Sequence, residues 1–294
     1  SIEPLSGRFR DWQRARLRTS TTLASTLANR LSLETLEPRL LLSADAPPVE
    51  GRIDVAGETD QFIVKISKPS QYLFDSLTDT SAISWTLADP SGQVIANRTF
   101  GASDARDFTS APVLDLAIGE YTLSIDGSAD ATGNYAFRLL DLADATPLTL
   151  GERIAANNPG KRTDLYSFDV TAGQSFYFDA QSLTGGDASW RLLGPDGEQV
   201  RTPANISDSG VFSLSRTGTY TLSLEGRDSN ASAIDYAFTL SRVTNAVASL
   251  VPGATVAGEI ALAGDTSSYD FMLATDTRVL FDTLNGSGLR WTLT

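Results

Sequence analysis

Apolar and polar residues alternate with a period of two along much of the chain, a pattern typical of β-strands with one buried face. In the stretch Gly119–Gly127, Tyr121, Leu123 and Ile125 alternate with polar residues. The same pattern returns at Gly218–Gly226, and glycines bracket both copies, where turns are needed. These two stretches are therefore predicted to be equivalent β-strands of a repeated unit.

Other segments repeat in the same order. The matched segments are Thr59–Phe62, Thr163–Tyr166 and Thr266–Tyr269; Phe74-Asp75, Phe178-Asp179 and Phe281-Asp282; Trp85–Leu87, Trp190–Leu192 and Trp291–Leu293; and Tyr135–Leu139 with Tyr236–Leu240. The three tryptophans lie about 100 residues apart. This period exceeds the roughly 20–50 residues of solenoid repeats and indicates whole domains with their own cores.

The fold class predicted is all-β, with tandem β-sandwich modules. The strands are short and alternating, and the turn sequences Asp89-Pro-Ser-Gly92 and Gly194-Pro-Asp-Gly197 separate them. In such turns proline sets φ at the second position and glycine takes the strained one. Short strands at this spacing argue for two sheets packed face to face, with Trp85 or Trp190 near the centre of each core.

The repeats divide the chain into a leader at 1–47, modules at 48–144 and 145–246, and a truncated third module at 247–294. The third unit stops after its tryptophan and lacks the Gly-x-Tyr strand and its partner. We therefore expect the last 45 or so residues to be poorly packed. The apolar residues expected to be partly exposed are Phe271, Leu273, Leu280, Phe281 and Trp291.

The leader at 1–47 differs from the rest of the chain and is predicted to be mostly disordered or helical. It is rich in arginine, and Leu23, Leu27 and Leu31 have helical spacing before Pro38 ends any helix. The segment Leu36-Glu-Pro-Arg-Leu-Leu-Leu42 resembles the LEPR-XLL signature found near the start of very large bacterial surface or secreted proteins. The resemblance implies a large exported bacterial parent.

Composition excludes several classes of function. The net charge is −13, and because the leader is net positive the repeats are more acidic still, which makes nucleic acid an unfavourable partner. The chain has no Cys and no His, so no disulfide, thiolate nucleophile or Ser-His-Asp triad can form within it. No apolar run is long enough for a transmembrane segment. A carboxylate pair could still catalyse acid–base chemistry, but we expect no enzyme.

The order of these motifs resembles the bacterial pre-peptidase C-terminal (PPC) type domain. The motifs are an Asp-x-aromatic strand, a Phe-Asp strand, a Trp-x-Leu strand, a Pro-x-Gly turn, Gly-x-Tyr-Thr-Leu and a closing Tyr-x-Phe strand. The match covers two full units, roughly 51–142 and 151–243, and the start of a third. The resemblance implies jelly-roll-like sandwiches of a kind that accompanies secreted peptidases and large adhesins. Some relatives in this family bind calcium or matrix polymers.

Three carboxylates are candidate metal ligands. Asp60 and Asp164 precede aromatic strands, and Glu58 is close to Asp60. One hypothesis is calcium, which demands six to eight oxygen ligands. The alternative, which we favour, is an aspartate that binds its own turn backbone, because the third unit has Ser267 at this position.

Four aromatic residues could in principle line a carbohydrate or collagen groove. These are Tyr121, Tyr220, Trp85 and Trp190. Their place in period-two strands favours core packing instead.

The function predicted is that of non-catalytic repeat modules in a large exported bacterial surface protein, either an adhesin-like spacer or weak binding units stabilised by calcium. The partner would be an extracellular polymer or a matrix or cell-surface ligand. The alternatives are an accessory region of a secreted peptidase and a lectin-like module. We expect the chain to be secreted or on the cell surface.

Overall fold

The computed structural model describes residues 47–104, 112–227, 229–284 and 288–294. It confirms the all-β prediction: two β-sandwiches follow one another along the chain. The predicted leader, apart from residue 47, lies outside the described residues. In the described part of the chain, no helix has the length and the apolar character needed to cross a membrane.

The first sandwich is a jelly roll of eight strands. They are β1 (Val49–Ile53), β2 (Thr59–Ile66), β3 (Ser70–Ser76), β4 (Ile83–Ala88), β5 (Val94–Thr99), β6 (Val113–Leu116), β7 (Gly119–Gly127) and β8 (Gly133–Asp141). The sheet orders are β2-β7-β4-β5 and β1-β8-β3-β6, with antiparallel pairing throughout. This is the strand order that defines a jelly roll. A 3-10 turn, Phe100–Ala102, follows β5.

The second sandwich repeats this topology and adds one strand. Its strands are β9 (Thr146–Pro147), β10 (Arg153–Asn158), β11 (Thr163–Val170), β12 (Ser175–Thr184), β13 (Ala188–Leu193), β14 (Gln199–Asn205), β15 (Val211–Ser213), β16 (Gly218–Gly226) and β17 (Ile234–Val243). The sheet orders are β14-β13-β16-β11-β9 and β10-β17-β12-β15. The linker strand β9 pairs in parallel with β11. The connection between the sandwiches therefore belongs to a sheet of the second one.

Each sandwich has its own aromatic core, as the alternation predicts. Trp85 is completely buried and stacks on Phe74 at 4.3 Å between ring centroids, while Phe137 stacks on the same phenylalanine at 4.9 Å. The second core has the same three-ring stack, with Phe178 lying 4.6 Å from Trp190 and 5.0 Å from Phe238. The predicted turns are also confirmed, since Gly92 and Gly197 have φ of 86° and 72°.

The third repeat contains strands β18 (Asn245–Ser249) and β19 (Thr266–Asp270), which pair in parallel as β9 and β11 do. Its apolar side chains are largely exposed, as the sequence predicts. Exposed members include Leu273, Leu280, Phe281 and Trp291, and Phe271 is half-buried.

Candidate functional site: the interface between the sandwiches

Two sheets, one from each sandwich, bury their outer faces against each other. Leu73 and Leu140 follow core residues directly along β3 and β8, so they lie on the outer face of their sheet, yet both are completely buried. They belong to one apolar cluster with Leu165 and Leu193 of the second sandwich, and Val113 packs against this cluster. We call this contact the interface. It makes the four sheets a stack of four layers.

An ion pair of the first sandwich binds the main chain of the second. Asp75 and Arg138 are opposite each other on β3 and β8, and the Nε and Nη2 atoms of Arg138 both lie 2.6 Å from Oδ2 of Asp75. The same Nη2 donates to the carbonyl oxygen of Thr163 at 2.7 Å, and the Thr163 N–H donates to Oδ1 of Asp75 at 3.2 Å. Both main-chain groups of Thr163 are thus satisfied across the interface.

A second ion pair makes the reciprocal contact. Arg191 on β13 donates from Nε to Oε1 of Glu225 at 3.0 Å and from Nη2 to Oε2 at 3.3 Å. Its Nη2 also donates to the carbonyl oxygen of Asp104 in the first sandwich at 3.1 Å. Ser223 donates its hydroxyl to Glu225 at 2.8 Å. Each sandwich therefore supplies an arginine that is held by its own carboxylate and donates to the main chain of the other.

A third carboxyl group, Asp104, lies beside both ion pairs. It is 5% exposed and accepts the Ser76 N–H at 3.1 Å. Burial, together with the charges of Asp75 and Glu225, raises the pKa of Asp104 well above its ordinary value. A side-chain hydrogen bond between Asp104 and Asp75 raises the pKa of Asp104 further. Burial and the neighbouring negative charges thus favour the neutral form of Asp104, which has less repulsion with the other two carboxyl groups of the interface.

Sequence reasoning missed these interface residues, but a signal for them exists. The strands that meet contain Phe137-Arg-Leu-Leu140 and Trp190-Arg-Leu-Leu193, in which a second leucine breaks the alternation. A strand buried on both faces loses its period of two. The equivalent strands whose outer faces are not in this interface are β4 and β17. Their sequences at the same positions are Trp85-Thr-Leu-Ala88 and Phe238-Thr-Leu-Ser241. The tetrapeptide aromatic-Arg-Leu-Leu is thus shared by the two strands that meet in the interface, whereas Thr239 and Ser241 of β17 are buried without it.

The predicted residues Asp60 and Asp164 hold their two sheets together. Oδ2 of Asp60 on β2 accepts the hydroxyl of Tyr135 on β8 at 2.6 Å. In the second sandwich, Oδ2 of Asp164 accepts the hydroxyl of Tyr236 at 2.7 Å. In both sandwiches the aspartate belongs to one sheet and the tyrosine to the other, so each pair forms a clasp across the edge of a core.

The second clasp is more extensive than the first. Asn158 donates to Oδ2 of Asp164 at 3.0 Å, and the hydroxyls of Tyr166 and Tyr236 lie 2.6 Å apart. Burial, followed by the charge of Asp164, raises the pKa of Tyr236. The phenol therefore stays protonated and acts as a donor. Neither the calcium hypothesis nor the turn hypothesis anticipated a tyrosine partner.

The third predicted ligand, Glu58, binds a turn. Its Oε2 accepts the N–H groups of Asp54 at 2.6 Å and Val55 at 3.1 Å. Among the residues that the model describes, no group of three or more Asp and Glu side chains is arranged to hold a metal ion. The calcium site stays a prediction. The carboxylate oxygens of Glu58, Asp60 and Asp164 named above each accept a hydrogen bond from a protein group.

The four aromatic residues considered for a ligand groove lie in the cores. Trp85, Trp190 and Tyr220 are each at most 2% exposed, and Tyr121 is 5% exposed. The indole N–H of Trp85 donates to Ser103 at 2.7 Å. These rings therefore have no face on which a saccharide could stack, which removes the residues on which the lectin-like alternative was based.

Fold and interface together define a tandem jelly-roll protein whose sandwiches are joined by a buried, ion-paired contact. No family model matches the chain, and no curated protein matches it. Similar solved structures include PliG, a periplasmic lysozyme inhibitor of g-type lysozyme, from Aeromonas hydrophila (13% identity, 33% of this chain and 96% of that one, TM-score 0.28) and from Salmonella Typhimurium (18%, 33%, 97% and 0.28). The CUB1-EGF-CUB2 domains of rat MASP-1 match at 8% identity over 65% of this chain and 97% of that one, with a TM-score of 0.20. At these values the similarities support no statement about function.

Proposed function

We propose that this chain is a non-catalytic spacer region of a large exported bacterial surface protein, in which stacked PPC-like sandwiches form a rigid rod. The observation that carries the proposal is the reciprocal contact in which Arg138 and Arg191 each donate to the main chain of the other sandwich. A rod holds distal parts of a protein at a set distance from the cell.

Bending at the interface would be costly. Separation of the two sheets would expose the apolar cluster around Leu73 and Leu193 to water. It would also leave the main-chain groups of Thr163 without the partners that Asp75 and Arg138 supply. A contact of this kind differs from the polar, mobile contacts common between domains.

The linker adds to the stiffness because it is short and packed. Between β8 and β9 the chain forms only a 3-10 turn, Leu142–Asp144, and Ala145. Leu142 and Ala145 are buried in the apolar cluster of the interface. Asp141 accepts the Ala143 N–H at 2.9 Å and the Ser70 hydroxyl at 2.5 Å. A linker fixed at both ends and in the middle leaves little freedom for rotation.

Export and the bacterial surface are the parts of the proposal that rest on sequence. The LEPR-XLL-like leader supports them, and so do the net charge of −13 and the lack of cysteine. Residues that bind a soluble substrate are not required for a spacer. Its job is mechanical, and its determinants are buried.

The proposal is tested by residual dipolar couplings on the described sandwiches in the full chain. A rigid rod requires that one alignment tensor fits the amide couplings of both sandwiches. Two different tensors would show independent motion and would overturn the spacer proposal. In the source bacterium, an antibody against the sandwiches should bind intact cells; binding only after lysis would overturn the surface location.

A further inference from the structure

In the second and third repeats, the segment that precedes the repeat pairs with a strand of that repeat. The short strand β9 lies parallel to β11, and β18 lies parallel to β19. One main-chain hydrogen bond recurs: the N–H of Leu148 donates to the carbonyl oxygen of Ser167 at 2.9 Å, and the N–H of Leu250 donates to that of Asp270 at 2.8 Å. Both acceptors lie four positions after the threonine that begins their strand. The pairing is therefore a property of the repeat.

The equivalent strand of the first sandwich is β2, and one of its edges has no such partner among the described residues. It pairs with β7 at the end of the sheet β2-β7-β4-β5. Ile63 has the position of Ser167, four residues after the first threonine of its strand. Because the N–H and C=O of one strand residue point to the same side, those of Ile63 face away from β7. Unpaired edges of this kind accept an added strand.

Side-chain burial shows the same difference between the two sandwiches. Tyr166, which lies opposite β9, is 8% exposed. Its counterpart on β2, Phe62, is only partly buried, although its ring packs edge-on against Phe137 in the first core. The edge of β2 thus presents an apolar ring that is less covered than its counterpart in the second sandwich.

The leader has a leucine at the matching distance from this edge. Leu148 lies 19 positions before its acceptor Ser167, and the third-repeat leucine lies 20 positions before its own. Leu42 lies 21 positions before Ile63. Between the prolines at 38 and 47 no further proline interrupts the segment, so every residue there has an N–H to donate. The length and the sequence of this segment both fit the edge.

We propose that Leu40–Ser43 of the leader pairs in parallel with the open edge of β2, and that the N–H of Leu42 donates to the carbonyl oxygen of Ile63. The side chain of Leu42 would pack at the edge of the first core, as Leu148 packs against the second. The last leucines of the LEPR-XLL-like segment would then belong to the first sandwich, rather than to a wholly disordered or helical leader. The inference does not require the spacer proposal, because independent motion of the two sandwiches would leave this edge unchanged.

The test is amide hydrogen exchange, followed by NMR in the full chain labelled with ¹⁵N-isoleucine and ¹⁵N-valine. The N–H of Ile63 points to the leader, so we expect it to exchange at least about tenfold more slowly than an unprotected amide. The N–H of Val64 points to β7 and reports whether β2 itself is folded. Its protection should be the same in the wild-type chain and in every variant.

Two proline variants separate this hydrogen bond from general effects on the leader. Leu42→Pro removes the proposed donor, so Ile63 should lose its protection. Leu41→Pro is the matched control, because β9 has Pro147 directly before Leu148, and Ile63 should stay protected. An unprotected Ile63 amide in the wild-type chain, or equal protection in the Leu42→Pro chain, would overturn the proposal. Protection that rises with protein concentration would also overturn it, since it would assign the edge to a second copy of the chain.

Discussion

Arg191 of the second sandwich donates to the main-chain oxygen of Asp104 in the first, 3.1 Å away, from a position where its own side chain is completely buried. A buried guanidinium that reaches across a contact between domains cannot move without losing both its carboxylate and its carbonyl partner. The relation between these two residues ties the orientation of one sandwich to that of the other.

Replacement of this arginine is predicted to lower the free energy of unfolding strongly. Arg191→Ala leaves the buried carboxyl group of Glu225 without its partner, and the loss of one partner of a buried ion pair typically lowers the free energy of unfolding by about 3–5 kcal/mol. The double replacement Arg191→Met with Glu225→Leu should cost much less, because no charge is left unpaired. Urea unfolding measures the free energy of unfolding of the single and the double variant.

An exposed ion pair serves as the control for that series. Lys65 and Glu120 lie 2.6 Å apart, and both are about half exposed or more. Lys65→Ala should change the free energy of unfolding by at most about 1 kcal/mol. An Arg191→Ala effect no larger than this would contradict the account of the interface.

A second prediction concerns the tetrapeptide shared by the two strands that meet in the interface. The double replacement Arg191→Thr with Leu193→Ala gives positions 190–193 the sequence Trp-Thr-Leu-Ala. The first sandwich has this sequence at Trp85–Ala88. Both sandwiches should still fold, but they should unfold in two calorimetric steps because the interface is lost. The same exchange in reverse, Thr86→Arg with Ala88→Leu, lies outside the interface and should leave the unfolding of the pair coupled. A single coupled step in the first variant would show that the tetrapeptide is not required.

Asp104 should make the free energy of unfolding depend on pH in the direction opposite to that of an ordinary surface carboxylate. Burial, followed by the charges of Asp75 and Glu225, raises the pKa of Asp104 in the folded state. A carboxyl group of this kind stabilises the fold below its ordinary pKa of about 4, and this contribution is lost as the pH rises through the folded pKa. The attraction between Asp104 and Arg98 opposes this loss.

The measurement is the free energy of unfolding of wild-type and Asp104→Asn chains between pH 5 and 8. Asparagine keeps a neutral side chain that can still donate to Asp75. We expect the variant to gain stability relative to wild type as the pH rises. A constant difference across this range would show that Asp104 does not titrate in it.

The tyrosine–aspartate clasps give a further prediction. Tyr236→Phe removes the donor to Asp164, and hydrogen bonds to charged groups contribute roughly 1.5–3 kcal/mol. Tyr121→Phe removes only a hydrogen bond to the carbonyl oxygen of Ala117, so about 0.5–1.5 kcal/mol should be lost. Thermal unfolding of the two variants should rank them in this order, and the opposite ranking would argue against the clasp.

The response of the chain to calcium gives a further prediction. Because Glu58, Asp60 and Asp164 each accept protein hydrogen bonds, we expect the same melting temperature in excess calcium and in chelator. A stabilising calcium site filled at a hundred times its dissociation constant would add about 2.7 kcal/mol. A rise in melting temperature that Asp164→Asn abolishes would support the calcium hypothesis instead.

The sequence predicted the fold better than the site, for a physical reason. Alternation places Tyr121, Leu123 and Ile125 on one face, and all three are in the core. Alternation does not say what covers the other face, so the outer position of Leu73 did not reveal the interface. The partner of Asp60 is Tyr135, 75 positions away along the chain, and no local pattern can predict a contact at that distance.

The most direct test of the rigid stack is a distance distribution between two spin labels. The chain has no cysteine, so Val94→Cys and Val211→Cys, which replace exposed residues of β5 and β15, place one label on each sandwich. We predict a single narrow distribution in the wild-type background that broadens when Arg191→Thr and Leu193→Ala are added. A broad distribution in the wild-type background would contradict the claim that these sandwiches form one rigid body.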